Sequence, residues 1–120
     1  MGLDLYIEKV NRKELAYFRK YNFLISFFEE YYDVEVENLR DLSIGKDGIK
    51  ELISRCEEVL DNHTLADKLL PTTEGFFFGN TEYDEYYYEA IKDCLTKCLE
   101  ILPEFDTLES GEYIVFQIWY

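Results

Sequence analysis

Cys56, His63, Cys94 and Cys98 are all the cysteines and the single histidine of this chain, and their spacing suits metal chemistry. Cys94 and Cys98 stand four apart, one helical turn, so their side chains point the same way. Cys56 falls on the inner stripe of an earlier helical segment, and His63 follows seven residues later on the same face. If those two helices pair, three thiolates and one imidazole can converge on a single tetrahedral point, a common closed set for structural zinc. Thiolate softness favours a thiophilic ion over magnesium or calcium. With all four ligands engaged no position is left for an activated water, so the expected role is structural. The spacings are helical and differ from finger or knuckle signatures. The same residues also have a plainer use: cysteines on apolar stripes serve as small buried hydrophobes, and a histidine at a helix end caps carbonyls.

The second set is acidic. Twenty-six Asp and Glu face 12 Lys and Arg, a formal net charge of -14 over 120 residues. Residues 61–120 hold 13 acids against Lys68, Lys92 and Lys97, so most of the excess lies in the second half. Glu82, Glu85, Glu89, Asp93 and Glu100 repeat at spacings of three, four and seven, which predicts one outer stripe on the last helix, opposite Tyr87, Ile91, Cys94 and Cys98. A row of carboxylates can imitate spaced phosphates, occupy a basic nucleic-acid channel and speed encounter with it. A solvated helix face that confers solubility is the alternative. The composition argues against direct nucleic-acid binding, which needs a basic footprint, and against docking on an anionic membrane.

Enzymatic constellations are thin. There is no G-x-S-x-G and no glycine-rich phosphate loop, and the single histidine leaves little room for a histidine-based dyad. Adjacent acids such as Glu29–Glu30 and Asp84–Glu85 are expected by chance in so acidic a chain, so no acid/base pair stands out and the expectation is a non-enzyme. The run Tyr86, Tyr87, Tyr88 has no basic flank and suits packing or a protein interface, where tyrosine is favoured.

The elements that must position these groups read as one α+β domain over residues 1–120. Leu3 to Val10 alternates as a half-buried strand. From Lys13 to Tyr32 the residues Leu15, Phe18, Tyr21, Phe28 and their neighbours follow helical spacing. Asp33 to Gly45 reads as a short strand or hairpin with an irregular link. Asp47 predicts the N-cap of a helix through Leu60, with Ile49, Leu52, Ile53, Cys56 and Val59 inward. Thr64 opens one or two further turns, ended by Pro71. The segment GFFFG at 75–79 predicts a short strand or buried loop between turns, and as a small-ligand alternative it could line a pocket. Thr81 with Asp84 predicts the start of a helix running to about Leu102, where Pro103 stops it. An acidic loop, Glu104 to Gly111, then leads into the aromatic strand EYIVFQIWY. The expectation is a small, mostly antiparallel sheet with the two terminal strands paired at its middle and about three helices on a face. A hydrophobic content of 48% is enough for a compact core. No secretory leader is visible, and three cysteines make no disulfide framework, which together predict a reducing cytoplasm.

The opening MGLDLYIEKV, the segment YFRKYNFLISFF and above all LLPTTEGFFFGNTEYDEYYYEAIKDC resemble a family of small acidic phage and prophage proteins, with Leu69 to Glu89 the most specific block. Combined with strong acidity and a thiolate set, the chain also resembles a type II anti-CRISPR protein. That resemblance implies a non-enzymatic inhibitor in the cytoplasm of the host bacterium, which binds the type II CRISPR RNA-guided DNA endonuclease and blocks target DNA loading. The family block supplies no metal motif, so the zinc set remains a reading of this chain's own residues.

Overall fold

The computed structural model describes residues 3–9, 13–19, 21–35, 42–73 and 81–119. Leu3, Leu5 and Ile7 are buried and alternate with half-buried Asp4 and Tyr6, which is the period of a strand with one face on a core. They form β1, Asp4–Lys9. The next segment is not helical as expected: Lys13–Arg19 forms β2, antiparallel to β1. Helix begins only at α1, Phe23–Tyr32. The misreading has a local cause. The register jumps from Ile7↔Ala16 to Glu8↔Glu14, leaving Leu15 as the extra residue of a bulge. The bulge breaks the two-residue alternation and spaces Leu15, Phe18 and Tyr21 three apart, which mimics a helix face.

Helix α1 ends at Asp33, whose left-handed backbone (φ 53°) lets its N–H reach the Glu29 carbonyl. Val34 and Glu35 are not in a strand, and the rest of the expected strand at 36–41 lies outside the described residues. Leu42–Ile44 forms β3. Helix α2, Lys46–Asp61, starts one residue before the expected cap, so Asp47 lies in its first turn and Gly45 holds the cap position with no side-chain bond. The Tyr32 hydroxyl takes over part of that role, accepting the Gly45 N–H at 3.0 Å. The Asn62 side chain caps a 3₁₀ turn, His63–Leu65, that leads into the short α3, Ala66–Leu69. Helix α4, Glu85–Ile101, is capped by Asp84, whose carboxylate accepts the Tyr87 N–H at 3.1 Å. Pro103 lies in the first turn of a 3₁₀ segment, Leu102–Thr107, that fills much of the expected acidic loop. Strand β4 is Ile114–Trp119.

The sheet order is β2-β1-β4-β3, with every pair antiparallel. The two terminal strands, β1 and β4, therefore pair at its middle, as expected. Leu5, Ile7, Phe18, Ile44, Phe116 and Ile118 join the apolar residues of α1, α2 and α4 in one buried core. The Phe28 and Phe116 rings meet at 4.2 Å, tying α1 to β4. Each such fully buried side chain is worth about 1.5–3 kcal/mol. Helices α2 and α4 pack against each other. No described helix is long and apolar enough to cross a membrane.

Candidate functional site

The α2–α4 seam carries the thiols. Cys56, Cys94 and Cys98 are free and completely buried. The Cys94 and Cys98 sulfurs stand 3.9 Å apart. Hydrogen bonding from Cys56, then from Cys98, together with burial, pushes the Cys94 thiol well above its ordinary range. The spacing argument therefore places all three cysteines together on the inner faces of two paired helices. His63 has a different neighbour. It is exposed at the 3₁₀ turn after α2 and lies flat against Tyr88, ring centroids 3.7 Å apart and 9° from parallel. Among the described residues no group of three or more His, Cys, Asp or Glu is arranged to hold a metal ion. The thiols meet as a hydrogen-bonded cluster buried within the core.

The acidic stripe divides into two kinds of residue. Glu85, Glu89 and Glu100 are exposed along α4, while Tyr87, Ile91, Cys94, Cys98 and Ile101 of the same helix are buried. Amphipathic spacing alone produces this split, with the apolar side on the core and the carboxylates on the solvent side. Glu82 is exposed as well, but it precedes the helix. Asp93 is half-buried and works internally. Its carboxylate accepts the Tyr21 hydroxyl at 2.8 Å and pairs with Lys97 at 2.8 Å. Lys97 in turn donates to the Tyr17 carbonyl of β2 at 2.9 Å and lies over the Phe18 ring. Asp93 thus latches α4 to β2 and to the residues between β2 and α1.

Beside this latch the start of α4 forms one wall of a half-open cleft of about 210 Å³. Arg19, Tyr21 and Phe23 line one side, and Glu82, Tyr86 and Tyr87 the other. Two of the wall rings are held by hydroxyl bonds: Tyr87 donates to the Leu70 carbonyl at 2.7 Å, and Tyr21 to Asp93 at 2.8 Å. Burial raises the pKa of both hydroxyls, with the Asp93 hydrogen bond adding to the rise at Tyr21. Asn22, only 3% exposed, lies at the base of the cleft and accepts the Thr73 N–H through its side-chain oxygen. Sequence reasoning missed Arg19, Tyr21 and Asn22 as a group because a helix through this region would spread them over three faces. The segment GFFFG, expected as a short strand or buried loop and as a pocket lining only in the small-ligand alternative, lies outside the described residues.

Compared with protein-family models, with curated proteins and with solved structures, the chain matches none.

Proposed function

We propose that this protein is a phage-derived anti-CRISPR inhibitor that binds the type II CRISPR effector nuclease of a host bacterium and blocks target DNA loading. The observation that carries the reading is the exposed carboxylate row Glu85, Glu89 and Glu100 on α4, with Glu82 ahead of it, on a chain of net charge -14. A nuclease that holds guide and target strands in positively charged channels presents the complementary surface. The inhibitor stands where polynucleotide would lie, acts without catalysis in the host cytoplasm, and binds neither nucleic acid nor membrane itself. Its family resemblance in the block Leu69 to Glu89 points the same way. Asp93, occupied by Tyr21 and Lys97, contributes by holding the helix rather than by direct contact.

Co-purification with a type II nuclease and a DNA-loading assay test this directly. Paired charge reversal, Glu85→Lys with Glu89→Lys, should weaken binding by roughly tenfold or more, and wild-type affinity should fall steeply between low and high salt. Undiminished inhibition by the double variant would remove this face as the contact surface.

A zinc ion clasped by Cys56, His63, Cys94 and Cys98 belongs to the same proposal as a stabiliser of the α2–α4 seam. The meeting of the three thiols supports it, and it requires His63 to leave Tyr88. Elemental analysis of reduced protein, purified without a metal-affinity column, should give one zinc per chain, and chelation or Cys98→Ser should lower the melting temperature. A ratio near zero ends the zinc reading and leaves the inhibitor reading intact.

A further inference from the structure

The thiol cluster of the α2–α4 seam brings three sulfurs together while the described donors around it are occupied. Cys56, Cys94 and Cys98 are each 0% exposed and share the apolar core with Leu52, Val59 and Ile91. Two sulfurs bonded to one centre at about 2.3 Å each stand roughly 3.5–4 Å apart, so the Cys94–Cys98 spacing of 3.9 Å already fits. Cys56 interacts with Cys94 across the seam and has to close in, since among the described residues no three such groups yet enclose an ion. His63 lies flat on Tyr88 in the exposed turn after α2. The Tyr21 hydroxyl, near Cys94, is bound to Asp93. The Tyr87 hydroxyl, near Cys56, is bound to the Leu70 carbonyl. A centre that needs three sulfurs, no fourth ligand and no buried charge matches this environment, because uncompensated charge in an apolar core is costly.

We propose that Cys56, Cys94 and Cys98 form a three-sulfur site for trivalent arsenic, taken up as neutral arsenite. The exchange balances without a redox step. Each thiol forms one As–S bond, and its proton leaves with one hydroxyl of As(OH)3 as water. Three As–O bonds break, three As–S bonds form, three waters depart, and arsenic stays trivalent. Reactants and product are all uncharged, so the core buries no net charge. Zinc on the same three thiolates would leave one negative charge in the apolar space and would still want a fourth ligand. A monovalent soft ion would leave two. Trivalent arsenic completes its bonding with the three sulfurs, so His63 stays on Tyr88. The site depends neither on a nuclease partner nor on the four-ligand zinc set. Because the sulfurs are fully buried, arsenite enters through local opening of the seam, and binding is slow.

The test incubates the whole protein, washed with a chelator and kept reduced by a thiol-free phosphine, with excess arsenite. The intact mass should rise by one arsenic less three hydrogens. The melting temperature should rise by several degrees, because a ligand that prefers the folded chain stabilises it. An adduct one water heavier keeps an As–OH, uses only two thiols and overturns the inference. A level or lowered melting temperature overturns it as well, since binding would then favour the unfolded chain. Both readouts use the wild-type protein and need no variant to fold. Cys56→Ala should weaken arsenite by roughly tenfold or more, while phenylarsine oxide, which needs two thiols, still binds the Cys94–Cys98 pair. Equal arsenite affinity in wild type and Cys56→Ala removes the third sulfur and with it the site. The zinc reading separates in the same samples. Zinc in the protein as purified, with no arsenite adduct after chelation, removes the arsenic site and keeps the zinc set. An arsenite adduct of three thiols on a chain that carried no zinc does the reverse.

Discussion

Gly48 and Tyr32 show how a single residue can be set by something thirteen or more positions away. A Cβ added at Gly48 would run into the Tyr32 hydroxyl, the group that accepts the Gly45 N–H at the start of α2. Alanine in place of a helical glycine ordinarily gains up to about 1 kcal/mol. Here it would displace a hydroxyl whose hydrogen bond is worth about 1 kcal/mol and push Tyr32 off its rotamer for about another 0.5–1.5 kcal/mol. The losses exceed the gain, so Gly48→Ala should destabilise the fold by up to about 1.5 kcal/mol in urea unfolding. In a Tyr32→Phe background the same change should cost clearly less; equal penalties in both backgrounds would contradict the contact. Nothing in the sequence around position 48 announces this, because the reason for glycine lies in space and not in the local string. Asp84 is the opposite case. A carboxylate just before an apolar helix is readable as a start signal, and it is the side chain that caps α4, rather than Thr81 three residues earlier.

Between elements Arg55 ties several segments at once. Its Nε donates to Glu51 on α2 at 2.9 Å, and its Nη1 donates to Glu30 on α1 at 3.3 Å and to the Leu69 carbonyl of α3 at 3.1 Å. The guanidinium also lies 5.2 Å from the Phe27 ring centroid. One side chain, 14% exposed, therefore holds three helices. Arg55→Ala leaves a partly buried carbonyl and two carboxylates without their donor, and should cost about 2–3 kcal/mol. Arg55→Lys should recover little, since an ammonium lacks the planar fork. A loss below about 0.5 kcal/mol on chemical denaturation would show that the three contacts are dispensable. Helices α2 and α4 were legible from their apolar stripes and stops, with their starts displaced from the expected caps. Strand β2 was not, because the Leu15 bulge erased its alternation and its partner β1 was needed to restore the register.

At the scale of the whole molecule, a chain carrying -14 folds to a radius of gyration of 13.6 Å, which is about what a neutral globule of this length shows, roughly 13.6 Å. The apolar core outweighs self-repulsion, and among the described residues no carboxylate is buried in it. High pH should tip that balance. Burial raises the Tyr21 and Tyr87 hydroxyls above their ordinary 10.0. The folded state therefore holds protons that the unfolded chain releases. Stability is complete below the unfolded pKa values and falls as pH climbs through the folded ones. The melting temperature should stay level from pH 7 to about 9 and drop progressively above about pH 10; a flat profile to pH 11 would contradict the buried, protonated state of these groups. The amino-acid order by itself determined the α+β class, the end strands and the inward placement of the three cysteines on two helices, because hydrophobic period and helical spacing act over a few residues and survive in the linear string; it allowed the end strands to pair and the thiols to meet, and the fold realised both. Only the tertiary structure decided that Lys13–Arg19 is a strand, that His63 rests on Tyr88, that Asp93 serves as a latch and that a cleft opens beside Tyr86. Each of those depends on a partner far away in the chain, and long-range contact has no local period to betray it.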